Sequence, residues 1–437
     1  MKYFDIAYVG AGPATMFSVL HLLKKGYEGN IAIIEAGESL ETRPKNEVIK
    51  GVFGAGSFSD SKLTVSLDVG GNIPNLTQEE LDEYSDKILS YINEFKMLTH
   101  NYNMYNWDNT TSYDTSPSSL KWNIHKTCHI GTDNGQAIYY EIEKYIKSHE
   151  NIELITKTTV KDIFQLNNNY FQLITDNRNY VTVVTKKLVI ATGQKGRLVG
   201  DIVNKFNLSK TPRAFQLGVR VEDIINPQYE KILKANYDFK FEKDYSYPNN
   251  IKVRVRTFCC NSGNAHTCAE RSSDGYICFN GHSYKTPDPN NHTVNYGIIC
   301  EVTGLNFNTK EDQINLIKSV NKIEGWEEDN LDSKGNPSPK SKLLKGFDKL
   351  KGYYPDEIIY SLEDFTQNLN KVVDLENAHY LYPEIKLNDG YSPKLDKNYM
   401  SEIKNIYMIG DCAYTRGIIK AAIMGMKFAN YIVGGNK

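Results

Sequence analysis

No apolar run in this chain reaches the roughly 18 uncharged residues that a membrane-spanning helix needs, and the mean hydropathy is −0.49, so no membrane span is expected. Neither charge is in excess, since 51 Lys and Arg face 53 Asp and Glu. Without a global positive field to gather phosphates, a dedicated nucleic-acid binder is disfavoured, although a local basic groove stays open. None of the seven cysteines stands in a Cys-x2–4-Cys pair, which removes the commonest zinc spacing, and no metal is expected. Internal repeats are absent too. The first residues have the basic start and apolar stretch of a secretion signal, but Asp5, Gly10, Gly12 and Pro13 interrupt it. An odd number of cysteines without such a signal reads as reduced thiols in the cytoplasm.

What is present suffices for a globular fold. Apolar residues make up 40% and charged residues 24%, enough to build a core and too apolar for disorder, and the length suggests two or three domains. The spacing predicts a strand at Tyr3–Val9, the turn Gly10-Ala11-Gly12, a helix at Ala14–Lys25 and a fully apolar strand at Ile31–Ile34 that ends in Glu35. This is a βαβ unit with parallel strands buried on both faces. Thr77 and Glu80 form a capping-box signature for a helix with Leu81, Ile88, Ile92 and Phe95 on its apolar face. Short strands at Val160–Phe164, Tyr170–Ile174 and Tyr180–Val184, separated by Asn167-Asn168-Asn169 and Asp176-Asn177-Arg178-Asn179, make a β-meander that leads into the strand Lys187–Ile190.

From Arg213 to His379 the pattern changes. Phe215–Val221 and Val253–Thr257 alternate apolar with polar, which indicates an antiparallel sheet with one wet face, accompanied by a helix at Gln313–Ile323 and a polar loop at Glu327–Lys342. The tail returns to the first pattern with a strand at Ile406–Ile409, Gly410-Asp411, and a helix at Gly417–Ile432. The fold class expected is α/β. A Rossmann-like domain of parallel sheet and β-meander (1–212, with a helical excursion at 75–128, resumed at 380–437) is interrupted by an inserted α+β substrate domain with an antiparallel sheet (213–379).

Gly10-x-Gly12-x-x-Thr15 lies between a strand and a helix, the context a dinucleotide fingerprint requires. Gly10 permits the tight turn, and Gly12 lets the backbone approach a pyrophosphate at the helix N-terminus, where unpaired N–H groups favour negative charge. Thr15 is bulkier than the usual third residue and is expected to loosen the helix–strand contact slightly. Glu35, at a strand end, can accept both ribose hydroxyls and would repel a 2′-phosphate. Two remote segments favour FAD over NAD. Lys187–Gly193 offers a second backbone approach, and Gly410-Asp411 places a carboxylate at another strand end before a helix that can aim N–H groups at the flavin's pyrimidine edge. Expected cofactor contacts are Gly10, Gly12, Pro13, Ala14, Glu35, Ala36, Ser59, Lys62, Val160, Ala191, Thr192, Gly193, Gly410, Asp411, Gly417 and Ile418.

Longer segments carry a resemblance along the whole chain. They are Gly10-Ala11-Gly12-Pro13-Ala14, Gly54-Ala55-Gly56-Ser57-Phe58-Ser59-Asp60-Ser61-Lys62-Leu63, His129-Ile130-Gly131-Thr132-Asp133, Ala191-Thr192-Gly193 and Gly218-Val219-Arg220-Val221-Glu222, with Val255-Arg256-Thr257-Phe258-Cys259, Asn280-Gly281-His282-Ser283, Ile409-Gly410-Asp411 and Thr415-Arg416-Gly417-Ile418. In these the chain resembles the FAD-dependent dehydrogenases of the two-dinucleotide-binding flavoprotein superfamily, in a bacterial-type branch. The resemblance implies FAD held by the first and last segments and a family-specific domain over the isoalloxazine. Two departures stand out: Ser61 where the pattern has Gly, and Cys259-Cys260-Asn261-Ser262-Gly263 where it has Cys-x-Cys-Pro-Gly.

Flavin would carry the redox chemistry and the protein would supply orientation and charge. The candidate catalytic residues are Cys259, Arg256 and His282. Cys259-Cys260 suggests a redox thiol, although adjacent cysteines bridge only through a strained ring and a packed cysteine is the plainer reading. Arg254 and Arg256 face away from Val253 and Val255, and with Arg220 they could hold an anionic substrate or line a solvated sheet face. His282 is placed in a turn, as a proton donor or as a structural histidine. Only one dinucleotide fingerprint occurs, so either NAD(P)H binds transiently or electrons come from an organic substrate directly. The expected function is an FAD-dependent oxidoreductase that passes a hydride between flavin N5 and a small organic molecule. The alternatives are a flavin-stabilised binding or regulatory protein, and a flavoenzyme that modifies a macromolecule, either nucleic acid or a protein thiol.

Overall fold

The computed structural model describes residues 2–44, 47–99, 103–166, 170–194, 198–272, 275–305 and 309–434. The turn read at Asn167-Asn168-Asn169 lies outside them. The chain divides into two compact units, each assembled from separated stretches: residues 1–106, 132–211 and 392–437 in the first, and 107–131 and 212–391 in the second.

The first unit is a seven-stranded sheet. Its order is Ile152–Ile155, Ile31–Ile34, Lys2–Val9, Thr182–Ile190, Phe171–Thr175 and Val160–Gln165, with Ile406–Met408 beside the end of Thr182–Ile190. The strands from Ile152–Ile155 to Thr182–Ile190, and Ile406–Met408, pair in parallel; the meander strands pair antiparallel. Ile6, Ala7, Tyr8 and the whole of Ile31–Ile34 are buried, because helices must cover both faces of a parallel sheet. The helix Pro13–Lys24 is buried from Ala14 to Leu22, so its apolar character runs all round. It packs against the helix Ile418–Gly434, where a Cβ on Gly425 would collide with the Ala14 carbonyl. The Thr77–Glu80 capping box is formed in both directions at the start of the helix Gln78–Lys96.

One element departs from the sequence expectation here. The strands read as Tyr180–Val184 and Lys187–Ile190 are a single strand, Thr182–Ile190. Its first half closes the meander against Phe171–Thr175, its second half pairs with Ile406–Met408, and Lys2–Val9 runs along its other edge. The polar pair Lys186–Lys187 reads as a break in sequence, but the ladder from Lys2–Val9 continues across it.

The second unit is an eight-stranded antiparallel sheet. Its order is Ser341–Lys342, His379–Ile385, Phe215–Ile224, Thr293–Thr303, Lys252–Arg271, Phe241–Ser246 and Lys121–Trp122, with Ile277–Tyr284 on the far half of Lys252–Arg271. Val253 and Val255 point into the core while Arg254 stays exposed, the alternation of a sheet with one wet face. The sheet takes in His379–Ile385, beyond the boundary read at 379, because that strand pairs with Phe215–Ile224. Residues 107–131 also belong to this unit, not to an excursion of the first, since Lys121–Trp122 pairs with Phe241–Ser246.

Four further differences follow from local signals overruled by pairing or left unread. Asn280-Gly281-His282-Ser283 is strand rather than turn, held in register against Ala265–Cys268. The helix expected at Gln313–Ile323 runs Lys310–Val320, started by a Thr309–Asp312 capping box. Glu327–Lys342 is not one loop, since the short helix Trp326–Asn330 and the strand Ser341–Lys342 occupy its ends. A 15-residue helix, Asp356–Asn370, went unread.

Candidate functional site

In the first unit, several remote segments meet at one helix end. Gly10 has φ +101°, and a Cβ there would collide with the Ala191 carbonyl, so only glycine fits. Its N–H donates to Ile34 at 2.8 Å, and the Ala191 N–H donates to Val9 at 2.8 Å, which locks the turn to both neighbouring strands. Thr15, fully buried, donates its hydroxyl to the Gly10 carbonyl at 2.6 Å. The bulkier third residue, expected to loosen the helix–strand contact, thus ties the helix to the turn at the end of the strand. A Cβ on Gly12 would meet nothing within 4 Å, and the helix that starts there has no side-chain cap. Unpaired N–H groups at an uncapped, open helix start are a ready anion site.

The other segments close around it. The loop before the strand Leu63–Val65 reaches Gly12 through Gly54, whose Cβ would lie 3.6 Å from the Gly12 Cα. A Cβ on Gly56 would lie 3.2 Å from both Pro13 and Ile418, and one on Gly410 would lie 3.0 Å from the Ala14 Cβ. Asp411 follows directly in the turn Gly410–Cys412, and Gly417 precedes the helix Ile418–Gly434. Thr192 Oγ1 and Gln194 Nε2, either side of Gly193, are buried with no hydrogen-bond partner among the described residues. The expected residues Gly10, Gly12, Pro13, Ala14, Ala191, Thr192, Gly193, Gly410, Asp411, Gly417 and Ile418 thus lie on segments that converge on one turn.

Glu35 is 7% exposed and holds three backbone amides: Ala11 on Oε2 at 2.8 Å, and Gly37 and Gly51 on Oε1 at 2.8 and 2.9 Å. A carboxylate has about four acceptor sites, so Oε2 keeps one for a further donor. Ala36 lies between these amide contacts. Lys157 and Thr158 donate to the carbonyls of Gly37 and Glu35, which brings Val160 to the same end of the site. Sequence reasoning missed Arg43. Its buried guanidinium donates to the carbonyls of Glu47, Val48, Val52 and Gly54 and to Ser57 Oγ, and it stacks on Phe58 at 4.2 Å. Burial pulls its pKa down to about 10. An arginine a few residues ahead of a glycine loop was the available signal.

Ser59 turns its hydroxyl back to the Gly56 carbonyl at 2.9 Å, and Lys62 sits 3.2 Å from buried Asp60. Both organise the loop. Ser61 has φ +49°, a conformation that favours glycine. Its hydroxyl fits only because residue 135 is glycine.

The second unit carries a buried polar cluster. The strand Lys252–Arg271 shifts register between Phe258 and Asn261, with Cys259 at φ +49°. Arg220, fully buried, donates to the Cys259 carbonyl at 3.0 Å and to Asn295 at 2.5 Å, and lies 3.5 Å from equally buried Glu384. Burial is the largest influence and works against the guanidinium's charge, but Glu384 together with Cys259, Cys268 and Cys260 leaves the Arg220 pKa raised. Lys240 and Lys386 both lie over the Phe258 ring, at 5.9 and 4.9 Å.

Of the residues read as catalytic, Cys259 lies in this cluster, half-buried. Cys260 points elsewhere, its thiol on the Phe239 carbonyl at 3.0 Å, and both are free thiols. Arg256 is tied to Glu301 at 2.7 Å. His282 stacks on His266 across the strand pair, on the opposite face from Gly281 and Ser283. Among the described residues, no group of three or more His, Cys, Asp or Glu is placed to hold a metal, and no helix is long and apolar enough to cross a membrane.

No known family's sequence profile matches the chain. It is similar to a protein of Clostridium beijerinckii described as uncharacterized, 22% identical across 97% of this chain and 80% of that one. Among solved structures it is similar to glycine oxidase from Geobacillus kaustophilus (12% identity, 99% of this chain and 95% of that one, TM-score 0.44). It is also similar to a flavoprotein/dehydrogenase from Cytophaga hutchinsonii (11%, 99% and 79%, 0.44) and to NikD, an amino acid oxidase of nikkomycin biosynthesis (11%, 100% and 95%, 0.44). Likenesses of this size do not fix an activity.

Proposed function

We propose that the chain is an FAD-dependent oxidoreductase acting on a small organic substrate. The observation that carries this reading is the convergence of Gly10–Ala14, Gly54–Gly56, Thr192–Gln194, Gly410 and Ile418 on one uncapped, open helix start. An NAD site would need only the first βαβ unit; it gives no reason for Gly410 and Ile418, from the far end of the chain, to close on Pro13 and Ala14. The uncapped N–H groups after Gly12 hold the pyrophosphate, and Glu35 Oε2 takes a ribose hydroxyl. Arg43 fixes the loop around Gly54 so that little ordering is left for the binding step. Thr192 Oγ1 and Gln194 Nε2 offer polar contacts along the ligand. FAD, when bound, supplies a two-electron acceptor, and the protein's part is to position it and to manage charge and protons.

The purified chain is expected to be yellow, with oxidised-flavin absorbance and one FAD per chain. Anaerobic bleaching with NADH, then NADPH, then a metabolite panel identifies the electron donor. A colourless protein that refuses added FAD and binds NAD overturns the reading.

A further inference from the structure

The segment 107–131 delivers two histidines to the second unit, and both meet the three residues Asn236-Tyr237-Asp238. His125 lies against Asn236 and, at 3.9 Å, Asp238. His129 stacks flat on Tyr237, with ring centroids 4.1 Å apart and 14° between planes. Around that stack three groups close a triangle: Tyr237 Oη to Ser283 Oγ at 2.6 Å, Ser283 Oγ to His129 Nε2 at 3.0 Å, and Tyr237 Oη to His129 Nε2 at 3.2 Å. The Ser262 N–H, just past the Cys259 bulge, also approaches Tyr237 Oη at 3.3 Å. Ser283 is fully buried and His129 is 8% exposed, whereas Tyr237 is half-buried. Ser283 shares its strand face with Gly281, over which the Arg220 guanidinium lies, so the triangle adjoins the Cys259–Arg220 cluster.

We infer that Tyr237, Ser283 and His129 form an acid–base relay that exchanges one proton with an organic substrate, Tyr237 being the outer member. In the accepting direction, a substrate O–H or N–H gives its proton to Tyr237 Oη. The Tyr237 proton passes to Ser283 Oγ, and the Ser283 proton passes to His129 Nε2, which becomes imidazolium while the substrate keeps the bonding pair. In the donating direction every transfer reverses and His129 ends neutral. Both hydroxyls return to their starting protonation, so the only charge that changes in the protein is on the one residue able to titrate near neutral pH. The triangle is suited to this because each heavy atom can act as donor or acceptor toward the next. The inference rests on the oxidoreductase reading, since removing a hydride from an alcohol or amine carbon requires the attached O–H or N–H proton to leave.

The test uses the full chain loaded with FAD, reduced with dithionite and freed of excess reductant, then reoxidised by either of two probes. 1,4-Benzoquinone needs a proton on oxygen in addition to a hydride; ferricyanide takes electrons alone. Tyr237→Phe, which keeps the stack, and Ser283→Ala are expected to slow benzoquinone reoxidation ~10²-fold or more and to remove its pH dependence and solvent isotope effect, with ferricyanide rates unchanged. In the flavin-free chain, Tyr237→Phe is expected to move the ¹⁵N titration midpoint of His129. Equal losses with both probes, or an unaltered benzoquinone pH profile, overturn the relay. Failure to bind FAD at all overturns the oxidoreductase reading instead.

Discussion

The Asp223 carboxyl is 4% exposed and accepts the Ile224 N–H at 2.8 Å, while its Oδ2 has no hydrogen-bond partner among the described residues. Burial pushes its pKa up from 3.8 to about 6. A folded state that holds this proton more tightly than the unfolded chain is relatively favoured below the ordinary value and loses that advantage as pH rises through about 6. Two pK units correspond to roughly 3 kcal/mol of cost at neutral pH. Asp223→Asn is therefore expected to raise stability at pH 8 by ~1–3 kcal/mol and to flatten the stability profile between the two values, as read from urea midpoints across pH. Ser61 is a second strained position, with a left-handed backbone and a buried hydroxyl without a partner among the described residues. Ser61→Gly removes both penalties, and a gain of ~1 kcal/mol in the same assay is expected. An unchanged midpoint would mean that the serine's packing against Gly135 offsets both penalties.

Between elements, the contact that matters most for the site is the crossing of Pro13–Lys24 and Ile418–Gly434. Gly425→Ala puts a methyl where the Ala14 carbonyl stands, which must push the two helices apart. Overpacking of this kind costs roughly 1–3 kcal/mol, and because Ala14 lies in the helix start proposed to hold the pyrophosphate, FAD affinity is expected to fall with stability. A variant that loses stability and keeps its FAD affinity would separate the crossing from the site. Legibility of the elements followed how local their signals are. The βαβ unit and the Thr77 cap were readable because every residue that makes them lies within a short window. The fused strand Thr182–Ile190 and the strand at Asn280–Ser283 were not, since each depends on partners far away in sequence. Asp356–Asn370 was readable and went unread: Ile358, Ile359, Leu362, Phe365 and Leu369 repeat at helical spacing after Pro355, and all are buried. The turn at Gly10–Gly12 was readable because its residues lie within one short window. The relay could not, because His129, Tyr237 and Ser283 come from three separate stretches and only the fold defines their grouping.

Taken as a whole, the chain leaves its first unit twice and returns, so the surroundings of the Gly10–Gly12 turn, the proposed nucleotide site, are complete only when segments far apart in sequence are in place. Gly10 and Gly12 are among the first residues of the chain, and Gly410 and Ile418 are among the last, yet Gly410 packs on Ala14 and Ile418 faces Gly56. A ligand held by all of them binds the folded chain and not the unfolded one, so its binding energy adds directly to stability. At a free FAD concentration 100 times Kd that is about 2.7 kcal/mol, enough to raise Tm by several degrees. Gly12→Val isolates the effect. Its φ of −71° is ordinary for any residue, and a Cβ there would meet no atom within 4 Å outside its chain neighbours. The variant is expected to lose no more than the ~1 kcal/mol of a poorer N-cap without FAD, and to show no rise when FAD is added. If Gly12→Val keeps the full FAD-dependent rise, the pyrophosphate does not lie against that turn. If it melts far below the parent without ligand, the space is needed by the fold rather than by the nucleotide.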